Sequence, residues 1–379
     1  MDFDFSDDQL ALREAVQRWV YGAYSFETRR QVVQGGGFSH SQWRALTELG
    51  LTGLVIDEAH GGMSMGAVEA MIVMEEFGRG LVLETYAQAA LIAPAMLRLA
   101  PTAIQQQWLA PIASGSAIVV LAHQERAARY RSEHVETTAQ AHLGTFMING
   151  MKSLVPAGDM ADAYIVPARM SGSVTDPSGI GLFLIERKSA GVSSRAYALQ
   201  DGSRAAEVSF VNAEAQLIVG QEQGHAALEL ALDIGIAALA AEAVGVMEKL
   251  LELTVEYLNT RKQFGVPIGS FQALRHRAAD CKMQLELARS MSYYATLKLG
   301  EPAQQRRRSL SQAKVQLGQS ARFVGQQCTQ MHGGIGVTDE YMGSHYFKRL
   351  TCMEMQFGDT LHHLGEVTMR MQASAGVFA

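Results

Sequence analysis

Two segments near the C-terminal end of the chain carry residue types suited to holding a charged ligand. The first is Arg261–Lys–Gln–Phe–Gly265, followed by Ile268–Gly–Ser–Phe–Gln272. A basic pair closes a long helix here, where positive charge also suits the helix dipole. A glycine-bearing turn follows, and a new helix starts at Phe271–Gln272. Taken by itself, the segment is a surface corner between two helices. The second is Gln330–Met–His–Gly333–Gly334–Ile–Gly336. Clustered glycines let backbone N–H groups approach a phosphate or a ring closely. Taken by itself, it is a loop that ends a helix, with His332 a structural residue. A third candidate, His362–His363, could transfer protons or bind a metal, but adjacent residues on a helix diverge by about 100°. One ring can reach a site while the other is solvated, so no metal site is expected.

The rest of the chain has to position these segments. At 379 residues it is long for one core, which predicts two or three packed subdomains. A hydrophobic fraction of 48% supplies ample core and excludes a disordered chain. The net charge of −6 gives no electrostatic case for nucleic acid. The acidic start, MDFDFSDDQL, has neither the basic nor the apolar segment of a secretory signal. No uncharged run is long enough to span a bilayer; Ile234 to Ala241 is short and ends at Glu242. Cys281, Cys328 and Cys352 are too scattered for a disulfide framework or a zinc site. A cytoplasmic protein is expected.

Three zones follow one another. From Phe5 to about Ser114 the periodicity is helical, with Ser6 an N-cap before Asp7 and with Gly50 ending a helix from Ser41 to Leu49. Further helices fit Met65–Gly78, Tyr86–Leu99 and Ala103–Ala113. From Ala117 to about Gly220, alternating or β-branched runs predict strands at Ala117–Ala122, Val135–Ala139, Thr145–Asn149, Tyr164–Ala168, Gly181–Ile185 and Glu207–Val211. Asn149–Gly150 between two such runs reads as a hairpin turn. From Glu222 onward helices return, at Glu222–Asn259, Phe271–Leu299, Pro302–Met331 and Thr360–Ser374. The fold class is therefore multidomain α+β: an N-terminal helical domain (1–115), a middle antiparallel β domain (116–221) and a C-terminal helical bundle (222–379).

With this order of zones, the pair RKQFG…IGxFQ and QxHGGxG resembles the acyl-CoA dehydrogenase family over essentially the whole chain. FSDDQLALREAVQRWV and the Leu49–Gly–Leu–Thr–Gly53 turn also fall where that family places them. The resemblance implies FAD lying between the β domain and the C-terminal bundle, its adenosine end reaching a neighbouring subunit. Arg261, Phe264 and Gln272 then resemble the positions that hold the pyrophosphate and adenine across the dimer interface, and Gln330, Gly333 and Gly334 the loop that completes this site. Leu121 to Gln124, with His123 among them, resemble the β segment along the isoalloxazine, and Leu154 to Pro156 the second such segment. Asp359 falls close to where the flavin should lie. An arginine with free backbone donors suits a dianionic pyrophosphate.

The sequence departs from the family at the reactive end. Members remove the substrate's α-proton with a carboxylate whose pKa burial can raise towards neutrality. The family spacing from Gly334 lands on Phe357, and the alternative position on the long helix is Gly235. Four carboxylates could compensate. Asp359 could be the base or the N-cap of the last helix, with the cap favoured. Glu354 precedes Phe357, Asp233 points away from the Gly235 side, and Glu242 lies two turns beyond Gly235 as a buried, hydrogen-bonded residue. The family's threonine-glutamate-proline and glycine-serine-aspartate signatures are replaced by Gln124–Glu125–Arg126 and Ala128–Arg129–Tyr130–Arg131. A hydroxyl expected near flavin N5 is replaced by Pro156, which has no N–H to donate.

The resemblance implies α,β-dehydrogenation of an acyl-CoA thioester with FAD as hydride acceptor, an electron-transferring flavoprotein as partner, and a homo- or hetero-oligomer built as a dimer of dimers. The doubly missing base points to the subunit of a heteromer in which another chain supplies it. A flavin-dependent monooxygenase or oxidase on the same scaffold, and a non-catalytic scaffold subunit, are the alternatives.

Overall fold

The computed structural model describes residues 4–374, with the side chains of 4–371. Helices come first: α1 (Asp7–Ala23), α2 (Phe26–Gln34), α3 (His40–Glu48), α4 (Ala67–Gly80), α5 (Ala93–Leu97) and α6 (Thr102–Ala113). Then follow β1 (Val119–Leu121), β2 (Thr138–His142), β3 (Thr145–Pro156), β4 (Ala163–Arg169), β5 (Ile180–Glu186), β6 (Val192–Ala198) and β7 (Arg204–Val219). Helix α7 (Gly224–Thr260) leads into a small hairpin of β8 (Lys262–Gln263) and β9 (Val266–Pro267). The chain continues through α8 (Gln272–Lys298), α9 (Ala303–His332), α10 (Met342–Met355) and α11 (Thr360–Ser374). The helix–strand–helix order and the α+β class follow the sequence pattern. The chain forms two compact units, one of residues up to Arg30, Ala67–Val82 and from Ile236 onward, the other of Gln31–Gly66 and Leu83–Gly235. The N-terminal helices are thus divided between the two.

Local chemistry explains most boundaries. Ser6 caps α1 in a capping box: its hydroxyl accepts from the Gln9 N–H at 3.3 Å, and the Gln9 side chain accepts from the Ser6 N–H at 3.0 Å. Gly50 follows α3 with φ 77°, the left-handed geometry expected there. Helices α2 and α10 were not anticipated; the first is short, and the second opens on Met342–Gly343–Ser344, residues with no helical signature.

In the Gln31–Gly235 unit, β4, β5, β7, β3 and β2 pair in a closed ring, with β1 added beside β4 and β6 beside β7. The sheet is not wholly antiparallel as expected: β1 pairs parallel with β4, because the connection between them carries the β2–β3 hairpin and returns in the same direction. Asn149–Gly150 is not a hairpin turn. It lies inside β3, and the turn is Leu143–Gly144, both residues left-handed (φ 46° and 87°). Gly150 marks a register shift against β7, where a Cβ would meet the Thr137 hydroxyl oxygen at 2.6 Å. Strand β6 escaped notice because VSSRAYA is exposed along most of its length and has no apolar alternation.

In the other unit, α7 is the central core helix. By length and composition it could cross a bilayer, yet 89% of its most apolar window is buried within the folded chain. Leu239, Val244, Met247 and Leu250 pack with Leu285 of α8, Leu317 and Val324 of α9 and Leu350 of α10. Its backbone touches that of α4. A Cβ at Gly78 would lie 2.0 Å from the Glu242 carbonyl oxygen, and one at Gly245 would lie 1.8 Å from that of Glu75. Beside this crossing, buried Glu75 accepts from Arg289 at 2.7 Å, and Glu76 lies 3.3 Å from Arg79.

Gly144 in the β2–β3 turn and Gly150 within β3 make a paired test. Gly144→Ala adds a methyl in open space and should cost only about 1 kcal/mol of backbone strain. Gly150→Ala must displace Thr137 and should cost about 2–4 kcal/mol. Urea unfolding midpoints measure both, and equal losses would refute the close-approach account.

Candidate active site

Between α10 and α11 the short loop Gln356–Asp359 carries Phe357, the residue at the expected place of the base. Phe357 (φ 58°) and Gly358 (φ 108°) are both left-handed, a geometry that costs a residue with a Cβ about 1–2 kcal/mol. Three side chains hold it. Lys314 of α9, with no exposed surface, donates from its ammonium to the carbonyls of Met353 (3.1 Å), Glu354 (2.9 Å) and Gly358 (2.8 Å). His363 of α11 donates from Nε2 to the Phe357 carbonyl at 2.9 Å, so its Nδ1 accepts from the Ser311 hydroxyl at 3.2 Å. The Phe357 ring packs on the cluster of Ile236, Ala237, Leu310 and Ala313.

The two histidines do not diverge into site and solvent. Their rings meet edge to face at 5.0 Å, and a Cβ on Gly358 would lie 2.6 Å from an atom of each. The left-handed turn brings Gly358 up against both, which helical spacing alone could not indicate. Burial, with the Lys314 ammonium nearby, lowers His363 to about 3. Burial also lowers Lys314 to about 8, against the opposing pull of Glu354 and Asp359. That value would suit a general base, but the ammonium is fully buried and engaged by three carbonyls, so Lys314 positions the loop.

The four carboxylates considered as substitutes are all built into the fold. Asp359 accepts from the His362 N–H at 2.8 Å as the N-cap of α11. Glu354 accepts from the Thr360 N–H (3.1 Å) and hydroxyl (2.8 Å). Glu242 forms a two-pronged pair with Arg349, at 2.7 Å on each oxygen. Asp233 has no exposed surface, and Gly235 is buried in α7.

The two motifs are joined through His332. Its Nδ1–H donates to the Cys328 carbonyl at 2.8 Å, and its Nε2 accepts from the Tyr341 hydroxyl at 2.7 Å. Its ring lies 4.7 Å from that of Tyr257, one turn before Arg261. Phe264 and Gly265 form the two-residue turn of the β8–β9 hairpin, both left-handed, with Phe264 92% exposed. Arg261, Gln272, Gln330, Gly333 and Gly334 are all exposed.

In the strand unit, the Ser153 N–H donates to the Gln124 carbonyl at 2.8 Å, bringing the segments Leu121–Gln124 and Leu154–Pro156 together. Leu121 is buried, whereas His123, Gln124 and Pro156 are half-buried. Leu154 is left-handed (φ 51°), 44% exposed, and its N–H donates to the Tyr197 hydroxyl at 3.1 Å. Behind them, buried Glu125 accepts from Lys152 (2.6 Å), the Thr137 hydroxyl (2.7 Å) and the Glu136 N–H (2.6 Å). Burial pushes the Glu125 carboxyl up, but the Lys152 ammonium and these donors hold it below its ordinary value. Burial and the same ammonium lower His123 to about 4.

Sequence reasoning missed Lys314, Ser311 and the Glu125–Lys152 pair. The available signal was charge on an apolar face: Lys314 shares its stripe of α9 with Leu310, Ala313 and Leu317. Among the described residues, no group of three or more His, Cys, Asp or Glu side chains could hold a metal ion.

A flavin dinucleotide fits the residues present in each unit. No atom lies within 4 Å of a Cβ built on Gly333 or Gly334, and Arg261 is an exposed cation beside an exposed aromatic ring. In the strand unit, the buried Ser153 hydroxyl has no hydrogen-bond partner among the described residues, next to the apolar surface of Leu154.

Comparison with known proteins agrees with this geometry. Residues 6–116 match the N-terminal domain of acyl-CoA dehydrogenase and residues 222–372 its C-terminal domain. The chain belongs to the acyl-CoA dehydrogenase family, a class of FAD-dependent oxidoreductases acting on CH–CH bonds. It is 27% identical to a probable acyl-CoA dehydrogenase of Bacillus subtilis, over 94% of this chain and 96% of that one. It is 29% identical to an L-prolyl-[peptidyl-carrier protein] dehydrogenase of Pseudomonas fluorescens, over 80% of this chain and 83% of that one. The ChsE4–ChsE5 complex of Mycobacterium tuberculosis shares the fold, with a TM-score of 0.88 at 24% identity, covering 99% of this chain and 100% of that one.

The depressed His363 makes stability depend on pH. The folded chain keeps this ring neutral to about pH 3, whereas the unfolded chain protonates it near 6.5. Its contribution is therefore present above pH 6.5 and falls by about 1.4 kcal/mol per unit as pH drops below that. His363→Gln should flatten the acid limb of a stability–pH curve, and an unchanged limb would refute the assignment.

Proposed function

We propose that this chain is a base-lacking, FAD-holding subunit of a heteromeric acyl thioester dehydrogenase. One observation carries the reading: Lys314, Ser311 and His363 fix an apolar ring where the motif spacing leads one to expect the base, and Asp359, Glu354 and Glu242 each already satisfy structural partners. When bound, FAD supplies the acceptor for the β-hydride. Arg261 and the exposed backbone of the Gly333–Gly334 loop would hold its pyrophosphate and adenosine end. Gln124, Ser153 and Leu154 would face its ring system, Leu154 excluding water and the Ser153 hydroxyl offering a buried hydrogen bond. Pro156 offers no N–H, so hydrogen bonds to the ring on that side must come from neighbouring residues.

The α-proton needs an acceptor that this chain does not present. A second family chain carrying a carboxylate supplies it in this reading, and an electron-transferring flavoprotein would be the partner that takes up the electrons. The ChsE4–ChsE5 complex, which contains a chain of this fold, supports the heteromer. Acyl-CoA is the substrate class that the family name supports.

Two outcomes test this. Arg261→Ala should lower co-purifying FAD several-fold, read from the flavin absorbance per chain; unchanged flavin content would remove the pyrophosphate role. In D2O, the wild-type chain alone should not exchange the α-protons of an acyl-CoA followed by NMR, whereas Phe357→Glu places a carboxylate on the same locked loop and should begin to. Rapid exchange by the wild-type chain alone would overturn the base-lacking reading.

A further inference from the structure

One buried histidine of the helical unit commits its two ring nitrogens to two different segments. His345 of α10 is 8% exposed. Its Nε2–H donates to the Asp339 carbonyl at 2.8 Å, which fixes the tautomer and leaves Nδ1 as an acceptor. Nδ1 accepts from the Arg29 guanidinium of α2 at 3.1 Å, and that nitrogen has no other hydrogen-bond partner among the described residues. Arg29 is 1% exposed and also donates from Nε to the Leu81 carbonyl at 3.2 Å, so it cannot turn to solvent without giving up both acceptors. The Phe26 ring, one turn earlier on α2, packs edge to face on the imidazole at 5.0 Å.

Asp339 belongs to the loop from Gly333 to Tyr341. The Tyr341 hydroxyl pins this loop to His332, and His345 supplies a second pin at Asp339. Resting on the flavin reading above, in which the same loop holds the adenosine end of FAD, we propose that His345 is a pH-dependent positioning residue: neutral, it ties the Gly333–Tyr341 loop to α2, and protonated, it lets the two part. The added proton can enter only at Nδ1, where it faces the Arg29 guanidinium, two buried cations with no acceptor between them. The other charges do not reverse this. Lys348 of α10 is a further cation, bonded to the Asp339 carboxylate at 2.8 Å, and Arg30 of α2, paired with Glu27, acts on that carboxylate too. The Lys348 bond holds the Asp339 carboxyl below its ordinary value, so it stays ionised between pH 5 and 8. It lies 3.5 Å from Nε2, the nitrogen remote from Arg29, and draws a protonated ring towards the loop rather than towards α2. Burial first, then Arg29 and Lys348, lower His345 below its ordinary value against the pull of Asp339. A ring released from the contact takes up a proton near pH 6.5. The tie is therefore complete above pH 6.5 and weakens by up to about tenfold per unit as the pH falls below it.

The test is hydrogen–deuterium exchange of the purified full chain between pH 5 and 8, with rates corrected for intrinsic chemical exchange. Exchange in the peptides spanning α2 and Asp339–Ser344 should be level above pH 6.5 and should accelerate together below it, by up to about tenfold per unit. A core peptide of α7 should stay protected throughout. His345→Gln keeps a donor for the Asp339 carbonyl but cannot titrate, and should abolish the acceleration in both peptides. The wild-type series decides even where that variant does not fold. Level exchange in either peptide, acceleration of one without the other, equal acceleration in α7, or acceleration persisting in His345→Gln would each overturn the proposal. FAD release from the same samples, followed by flavin fluorescence, should quicken several-fold from pH 7.5 to 5.5 in the wild type and not in His345→Gln. Release that ignores the tie overturns the positioning role. A chain carrying no flavin at any pH instead fails the flavin reading, and the exchange series still decides whether His345 ties the loop to α2.

Discussion

A single buried ammonium fixes the chemistry available to the helical unit. Lys314 has no exposed surface, and its charge is held by the carbonyls of Met353, Glu354 and Gly358. Such a group is expensive to bury, and burial lowers it to about 8. In return, three backbone acceptors that the left-handed turn withdraws from regular structure are satisfied together. Losing the ammonium would strand the Glu354 and Gly358 carbonyls, while that of Met353 keeps the Gln356 N–H at 3.3 Å, so the loop conformation, the place of Phe357 and the start of α11 depend on it. His363 completes the arrangement from the other side, and Gly358 is required because both histidine rings occupy the space of a side chain.

The strand unit uses the same device in another form. Glu125 and Lys152 bury opposite charges, and Thr137 and the Glu136 N–H complete the carboxylate's hydrogen bonding. That pair anchors the turn after Gln124 to β3, and the Ser153–Gln124 bond then aligns the two segments assigned to the flavin.

Left-handed residues with side chains mark the places where the fold gives up local comfort. Phe357, Phe264, Leu154 and Arg129 all have φ between 51° and 58°. Phe264 and Leu154 fall in segments assigned to the cofactor and Phe357 at the expected place of the base, whereas Ser64 and Leu81, at φ 54° and 53°, have no such role; strain of this kind persists only where the surroundings impose it. In the hairpin turn at Phe264–Gly265, a nearly fully exposed aromatic takes a position that asparagine or aspartate would fill more easily.

Periodicity and capping chemistry are local, so the sequence by itself determined the zones, most helices, the Ser6 cap, the left-handed Gly50 and the final helix to its ends. Motif spacing likewise pointed to the flavin scaffold and to the absent base at Phe357 and Gly235. Other features were decided only in three dimensions. Asn149–Gly150 has the composition of a turn, yet it sits inside a strand because Thr137 needs a glycine opposite it. β1 runs parallel to β4 because of a connection whose path no local pattern encodes. Lys314, Ser311 and His363 come from two helices and meet on the loop before α11, and no spacing in the sequence announces that contact. Asp359 and Glu354 looked available as bases until the folded chain showed which donors they satisfy. Residue type sets what a side chain can do, and only its partners in the packed structure decide what it remains free to do.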